Sequence, residues 1–179
     1  MIEVIVSRLG LDSASNAFVV ILQEKDAKRL LPIWIGRAEA ESIAAHLDGE
    51  QRARPMTHDL AQSLITTLGG SLERVHITRV HEGTFFAEMH LQAAGTARVV
   101  DSRPSDAIAI ALRAGAPIFA APELLVDYES PEQAESDADD STGGPDLGAE
   151  SLTAHTRSVE QLQRYLSQLR PEDFGKFRP

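Results

Sequence analysis

LERVHITRV at residues 72–80 and FFAEMHLQ at residues 85–92 alternate apolar and polar side chains around the short segment His81-Glu82-Gly83-Thr84. Val75 and Ile77 share one face of the first run, and Phe85, Ala87, Met89 and Leu91 share one face of the second. The opposite faces carry Arg74, His76 and Thr78, and Glu88, His90 and Gln92. A period of two on both sides of a glycine-containing turn predicts an antiparallel hairpin with one face buried and one face wet. Gly95 then turns the chain into a further strand over residues 96–101.

Upstream, residues 2–9 (IEVIVSRL) and 17–23 (AFVVILQ) are rich in β-branched residues and predict two strands. Residues 30–35 (LLPIWI) predict a third, with Pro32 pointing to an edge or a bulge. Gly36 opens a helix, RAEAESIAAHL, with Glu39 and Glu41 in or near its first turn as solvated acids favoured by the dipole. A second helix follows Thr57, a good N-cap residue, and its apolar stripe is Leu60, Leu64 and Leu68, widened by Ile65. A third begins at Pro104, suited to the first helical position, and Gly115 and Pro117 stop it. Its body, Ala107 to Leu112, is apolar all round and predicts burial against the sheet. A short strand is expected over Pro117–Ala120.

The fold class expected is therefore α+β: a mainly antiparallel or mixed sheet with three packed helices over residues 1–126. Residues 127–150 carry nine acidic side chains and no basic one, with few apolar residues, and predict a disordered linker. Residues 151–179 predict a helical tail, in which Val159, Leu162, Leu166 and Leu169 form one stripe. The net charge of −10 is concentrated in the linker, and the remainder of the chain sums to −1. Bulk charge therefore neither favours nor forbids a polyanionic partner. Absence of cysteine excludes disulfides and thiolate metal sites. No apolar run approaches the ~20 residues of a membrane helix, and no basic-then-apolar leader opens the sequence. No membrane partner and a cytoplasmic home are the expectations.

LPIWIGRAEA (31–40), RPMTHDL (54–60), EGTFFAE (82–88) and SRPSDAIAIALR (102–113), in that order and spacing, resemble the bifunctional nuclease domain family, and most of all its actinobacterial members. The likeness covers about residues 1–126, and the ending VEQLQRYLSQLRPEDF (159–174) is similar to theirs as well. The resemblance implies a nuclease, acting on DNA and RNA.

Phosphodiester hydrolysis needs a group that activates water, and positive charge on the phosphoryl oxygens. Hard divalent cations held by carboxylates supply much of this. Arg54, His58 and Asp59 form one candidate cluster, at a helix start where free N–H groups favour anions. Arg103, Ser105 and Asp106 form another, at the mouth of the third helix. In this reading His58, Asp59 and Asp106 are catalytic, and Arg54, Arg103 and Ser105 bind phosphate. Asp59, Asp106 and Glu39 would hold magnesium or manganese. Each acid also has a purely local explanation. Asp59 is a first-turn acid, and Asp106 at the third helical position reaches back to the cap N–H as in a capping box. Arg113 reads as a C-terminal partner of the helix dipole.

His76, Glu88 and His90 on the polar hairpin face have the composition of a metal site. Half-exposed sheets commonly show such faces, so the plain polar face is the reading taken. No P-loop and no H-E-x-x-H motif occurs, and aromatics, at 5%, offer no stacking platform. Two functions stand: a metal-dependent nuclease on DNA or RNA, and a non-catalytic oligomeric module that recruits a partner through its acidic tail. Homo-oligomerisation is expected under either.

Overall fold

The computed structural model describes residues 1–12, 17–25, 28–50 and 52–127. The acidic stretch beyond Asp127 and the expected tail helix lie outside the described residues. Within them the chain runs β1 (Ile2–Asp12), β2 (Ala17–Glu24), β3 (Arg29–Ile35), α1 (Arg37–Leu47), α2 (Thr57–Thr67) and β4 (Gly70–His81). It continues with β5 (Thr84–Ala93), β6 (Thr96–Ser102), α3 (Pro104–Ala114), β7 (Ile118–Ala120) and β8 (Val126–Asp127).

The strands form one eight-stranded sheet in the order β6-β5-β4-β7-β1-β2-β3-β8. Only the β4–β7 pair is parallel among these, so the sheet is mixed, as the hairpin-rich sequence predicts. The two hairpin turns of β4–β5–β6 explain its tightness. Glu82 and Gly83 have φ 48° and 75°, and Ala94 and Gly95 have φ 49° and 73°. Two successive left-handed residues match the twist of the flanking strands, and the glycine spares half of the steric cost. Pro32 pairs across to Ile21 on β2, while β8 reaches only Arg29 and Leu30 on the other side of β3. The missing N–H of Pro32 therefore faces a stretch of β3 with no strand beside it.

α3 is the centre of the core. Ala107, Ile108, Ala109 and Ala111 are fully buried, and α3 packs on β4 and β5 with α1 and α2 beside it. The alanines let the helix approach the sheet closely, and Ile108 fills the space with Ile77, Val75 and Ile43 in the same cluster. Burying such a side chain stabilises by about 2–3 kcal/mol. Gly115, at φ 64°, adopts the left-handed conformation that ends the helix.

α2 departs from the expected pattern. Its N-cap is Met56, not Thr57, which is the first helical residue. No residue of α2 is fully buried, and Leu60, Leu64 and Leu68 are exposed, Leu68 by 81%. The face turned to the core is Ala61 and Ile65. The leucine repeat gives an apolar ridge, but Ala61, one step round the helix, lets α2 sit close to its neighbours, with Ile65 packed beside it.

Candidate functional site

Three helices bring the candidate residues together. On α1, Glu39 and Ser42 lie three residues apart and share a face. On α2, His58 and Asp59 occupy the second and third positions. On α3, Asp106 stands in the first turn, and Arg113 follows seven residues, or two turns, later on the same side.

The contacts form one chain. Arg103 bridges Glu39 and Asp106, with its NH2 nitrogen 2.8 Å from Glu39 Oε1 and its Nε 2.8 Å from Asp106 Oδ2. Asp106 Oδ1 lies 3.1 Å from His58 Nε2, and His58 Nδ1 lies 2.8 Å from Ser42 Oγ. If the ring carries its proton on Nε2, it donates to Asp106 and accepts from the Ser42 hydroxyl. Arg113 donates to Ser42 Oγ (3.1 Å), to the Ser42 carbonyl (3.2 Å), to the Ala109 carbonyl (2.9 Å) and, through Nε, to Asp59 Oδ1. Asp59 Oδ2 accepts the Met56 backbone N–H at 2.8 Å.

The charges follow from these contacts. The Arg113 hydrogen bond, helped by the Met56 N–H, holds the Asp59 carboxyl below the ordinary carboxylate range. Burial works to raise the Asp106 carboxyl, but hydrogen bonds from Arg103 and His58 together outweigh it and leave it lowered. Gly36 matters to this cluster: a Cβ there would lie 2.3 Å from Glu39 Oε2 and push that carboxylate off its place over the helix start.

Several sequence expectations change here. Arg113 is not a dipole partner at the surface; it is 9% exposed and paired with Asp59, 54 residues away. Glu39 is not a solvated acid but is held by Arg103, whereas Glu41 is exposed and paired with Arg37. Asp106 spends its oxygens on the Arg103 guanidinium and on His58 rather than on the cap N–H. Ser105 is 7% exposed and buried against the core, so it offers no surface to a phosphate. Arg54 is exposed and lines a groove of about 560 Å³ with Arg52, Arg113, Ser42, Asp59 and His46.

Ser42 escaped sequence reading. Its only signal there is the i, i+3 spacing from Glu39 on a predicted helix, which many unremarkable serines share.

A resident hard cation does not fit the carboxylates as they stand. Glu39, Asp59 and Asp106 are each already engaged by a guanidinium, and a cation on them would have to displace Arg103 and Arg113. On the hairpin, by contrast, register places His76 opposite Glu88 and Arg74 opposite His90. His76, Glu88 and His90 there each bring one ligand atom to within 4.8 Å of the others. This convergence differs from the plain polar face expected.

An α+β domain whose three helices close a guanidinium–carboxylate–imidazole network beside a groove lined by arginines and acids alike defines the class. The chain belongs to the bifunctional nuclease domain family, whose sequence pattern matches residues 20–133. An uncharacterized protein of Mycobacterium tuberculosis (strain H37Rv) is 36% identical over 178 residues, covering 96% of this chain and 97% of that one. Bifunctional nuclease 1 of Arabidopsis thaliana is 33% identical over 111 residues, 60% of this chain and 34% of the plant protein. Bifunctional nuclease 1 of Oryza sativa subsp. indica is 27% identical over 110 residues, 60% of this chain and 33% of its own length. No helix among the described residues is long and apolar enough to cross a membrane.

Proposed function

We propose that the chain hydrolyses phosphodiester bonds of DNA or RNA in the groove bounded by α1, α2 and Arg113. The observation that carries this reading is the relay from Asp106 through His58 to Ser42; Ser42 lines a groove to which Arg54 is exposed, beside the Arg52–Glu50 and Arg113–Asp59 pairs. Asp106 orients the imidazole, so that Nδ1 takes the Ser42 hydroxyl proton while Ser42 takes one from the attacking water. The hydroxide so formed adds to phosphorus, the bond from phosphorus to the leaving oxygen breaks, and solvent protonates that oxygen. The exposed Arg54 holds the phosphoryl charge, and Arg113, fixed by Asp59 and the Ala109 carbonyl, positions the Ser42 hydroxyl. Arg103 positions Asp106 and Glu39. Asp59 holds the Arg113 guanidinium and Glu39 and Asp106 hold that of Arg103, and no step passes through magnesium or manganese. The names of the plant relatives, carried to this chain, make nucleic acid the substrate.

The test is cleavage of single- and double-stranded DNA and RNA by the full chain, with chelator and with magnesium, manganese, cobalt or calcium. Ser42→Ala and His58→Gln are the paired variants. Wild-type cleavage that falls at least about 100-fold in both supports the relay. No cleavage under any condition, or equal cleavage by the variants, overturns it. Strict dependence on magnesium or manganese would restore the carboxylates as ligands.

A second reading is a non-catalytic assembly module. It is favoured by the apolar ridge Met56, Leu60, Leu64 and Leu68 on α2, each about half exposed or more. A second copy of the chain is the partner this ridge would take. Leu64→Glu should then lower the solution mass to that of a monomer, and an unchanged mass would dismiss the ridge as an interface.

A further inference from the structure

The sheet presents a second polar cluster on the side away from α3. Alternation puts Val75, Ile77, Ala87 and Met89 into the core, so His76, Glu88 and His90 project from the opposite face of β4 and β5. The antiparallel register sets His76 against Glu88, with His90 two residues further along β5. The two imidazole rings come to 4.2 Å between centroids, and Phe119 on β7 closes one side with its ring edge-on to His76 at 5.6 Å.

Ordinary hydrogen bonding does not account for this arrangement. His90 Nε2 is buried without a hydrogen-bond partner, and its nearest acid oxygen, Glu88 Oε2, stands at 3.5 Å. A buried nitrogen left unmet forfeits its hydration without compensation and calls for a partner.

We propose that His76, Glu88 and His90 bind a divalent transition-metal ion of the zinc class. Two imidazoles and one carboxylate are donors that suit zinc, cobalt, nickel or copper, and they suit magnesium and calcium poorly. Tetrahedral bonds of about 2.0–2.2 Å put ligand atoms roughly 3.3–3.6 Å apart. The His90–Glu88 separation of 3.5 Å is already close to that figure, and side-chain rotation closes the remainder from the 4.8 Å limit. Three protein ligands leave the fourth position to water on the side of Glu88, whose side chain is 44% exposed against 19% for His90. Arg74 opposes binding: its Nε donates to His76 Nε2 at 3.2 Å, and it must swing into solvent, where it is exposed, before a metal enters.

The site stands across the sheet from the cleft and does not depend on the nuclease reading, so the test uses no cleavage assay. The full chain is stripped with chelator and titrated with zinc, with cobalt and with magnesium, by calorimetry and by cobalt visible absorption. One equivalent of zinc or cobalt should bind, with tetrahedral cobalt bands and a thermal midpoint raised by several degrees at about 100-fold excess over Kd. Magnesium at equal concentration should not bind. His90→Ala and Glu88→Gln should each weaken zinc binding at least about 10-fold while keeping the metal-free midpoint. Arg74→Ala should tighten it, because a competing cation is gone. Absence of stoichiometric zinc binding overturns the proposal. So does binding that is unchanged in His90→Ala and Glu88→Gln, since the ion then sits elsewhere on the chain.

Discussion

Arg113→Met is the most demanding perturbation of the cleft, because one guanidinium ties α3 to both other helices. Arg113 is 9% exposed and donates to Asp59, to the Ala109 carbonyl and to both the carbonyl and hydroxyl of Ser42. Methionine keeps the aliphatic volume and removes every donor. Breaking a fully buried ion pair costs about 3–5 kcal/mol, because the surviving charge is left unpaired. Asp59 is 37% exposed, so water recovers part of that charge, and the expected loss is about 2–3 kcal/mol. For a unit of this size the thermal midpoint should fall by about 10 °C at pH 7.

The pH dependence gives a second, independent reading of the same variant. The folded Asp59 carboxyl is lowered, first by Arg113 and then by the Met56 N–H. A lowered carboxyl contributes stability that is present above the unfolded value, about 3.9, and is lost as pH falls through the folded value. The wild type therefore gives up the Arg113 increment in acid, and the variant has none to give. The gap in midpoint between the two proteins should narrow as pH falls below about 4. Differential scanning calorimetry from pH 7 to pH 2.5 measures it. A variant with the wild-type midpoint at pH 7, or a gap that stays constant into acid, would refute the pairing as a source of stability.

Two further outcomes are expected. Ile108→Asp puts an unpaired carboxylate at a fully buried position of α3, at a cost comparable to the stability of the whole domain; cooperative unfolding near the wild-type temperature would contradict the core placement. Asp106→Asn and Asp59→Asn keep side-chain shape and lose charge, so each should remain folded with a stability loss of about 1–2 kcal/mol while cleavage collapses; measured together, midpoints and cleavage rates that both match wild type would remove these acids from the mechanism.

Most strands and helices were legible because their causes are local. The β4–β5 hairpin follows from alternation and from Glu82-Gly83, and α3 follows from Pro104 and Gly115. The rotation of α2 was not legible. Leu60, Leu64 and Leu68 make the stronger apolar stripe, yet Ala61 and Ile65 face the core. Hydropathy ranks stripes by affinity for an interior, whereas close packing against α3 and β4 favours the face that carries Ala61. The place of β7 between β4 and β1 was hidden for a related reason: a three-residue strand carries too short a pattern to name its partners.

The cleft residues posed a harder problem, since each acid could be explained without any function. Weighing helix capping against chemistry treats the two as rivals, and the contacts of Asp59 show that they are not. One of its oxygens accepts the Met56 N–H, as a first-turn acid should, and the other accepts from Arg113 on a different helix. The local bond fixes the carboxylate's direction, and that direction is what lets it hold a guanidinium 54 residues away. The relay partners His58 and Asp106 are 48 residues apart, and Ser42 joins from a third helix. No spacing rule along a single element reaches such distances. Helix-start acids thus mark where helices begin, and the packing of three beginnings around α3 decides whether those acids become anchors for a site.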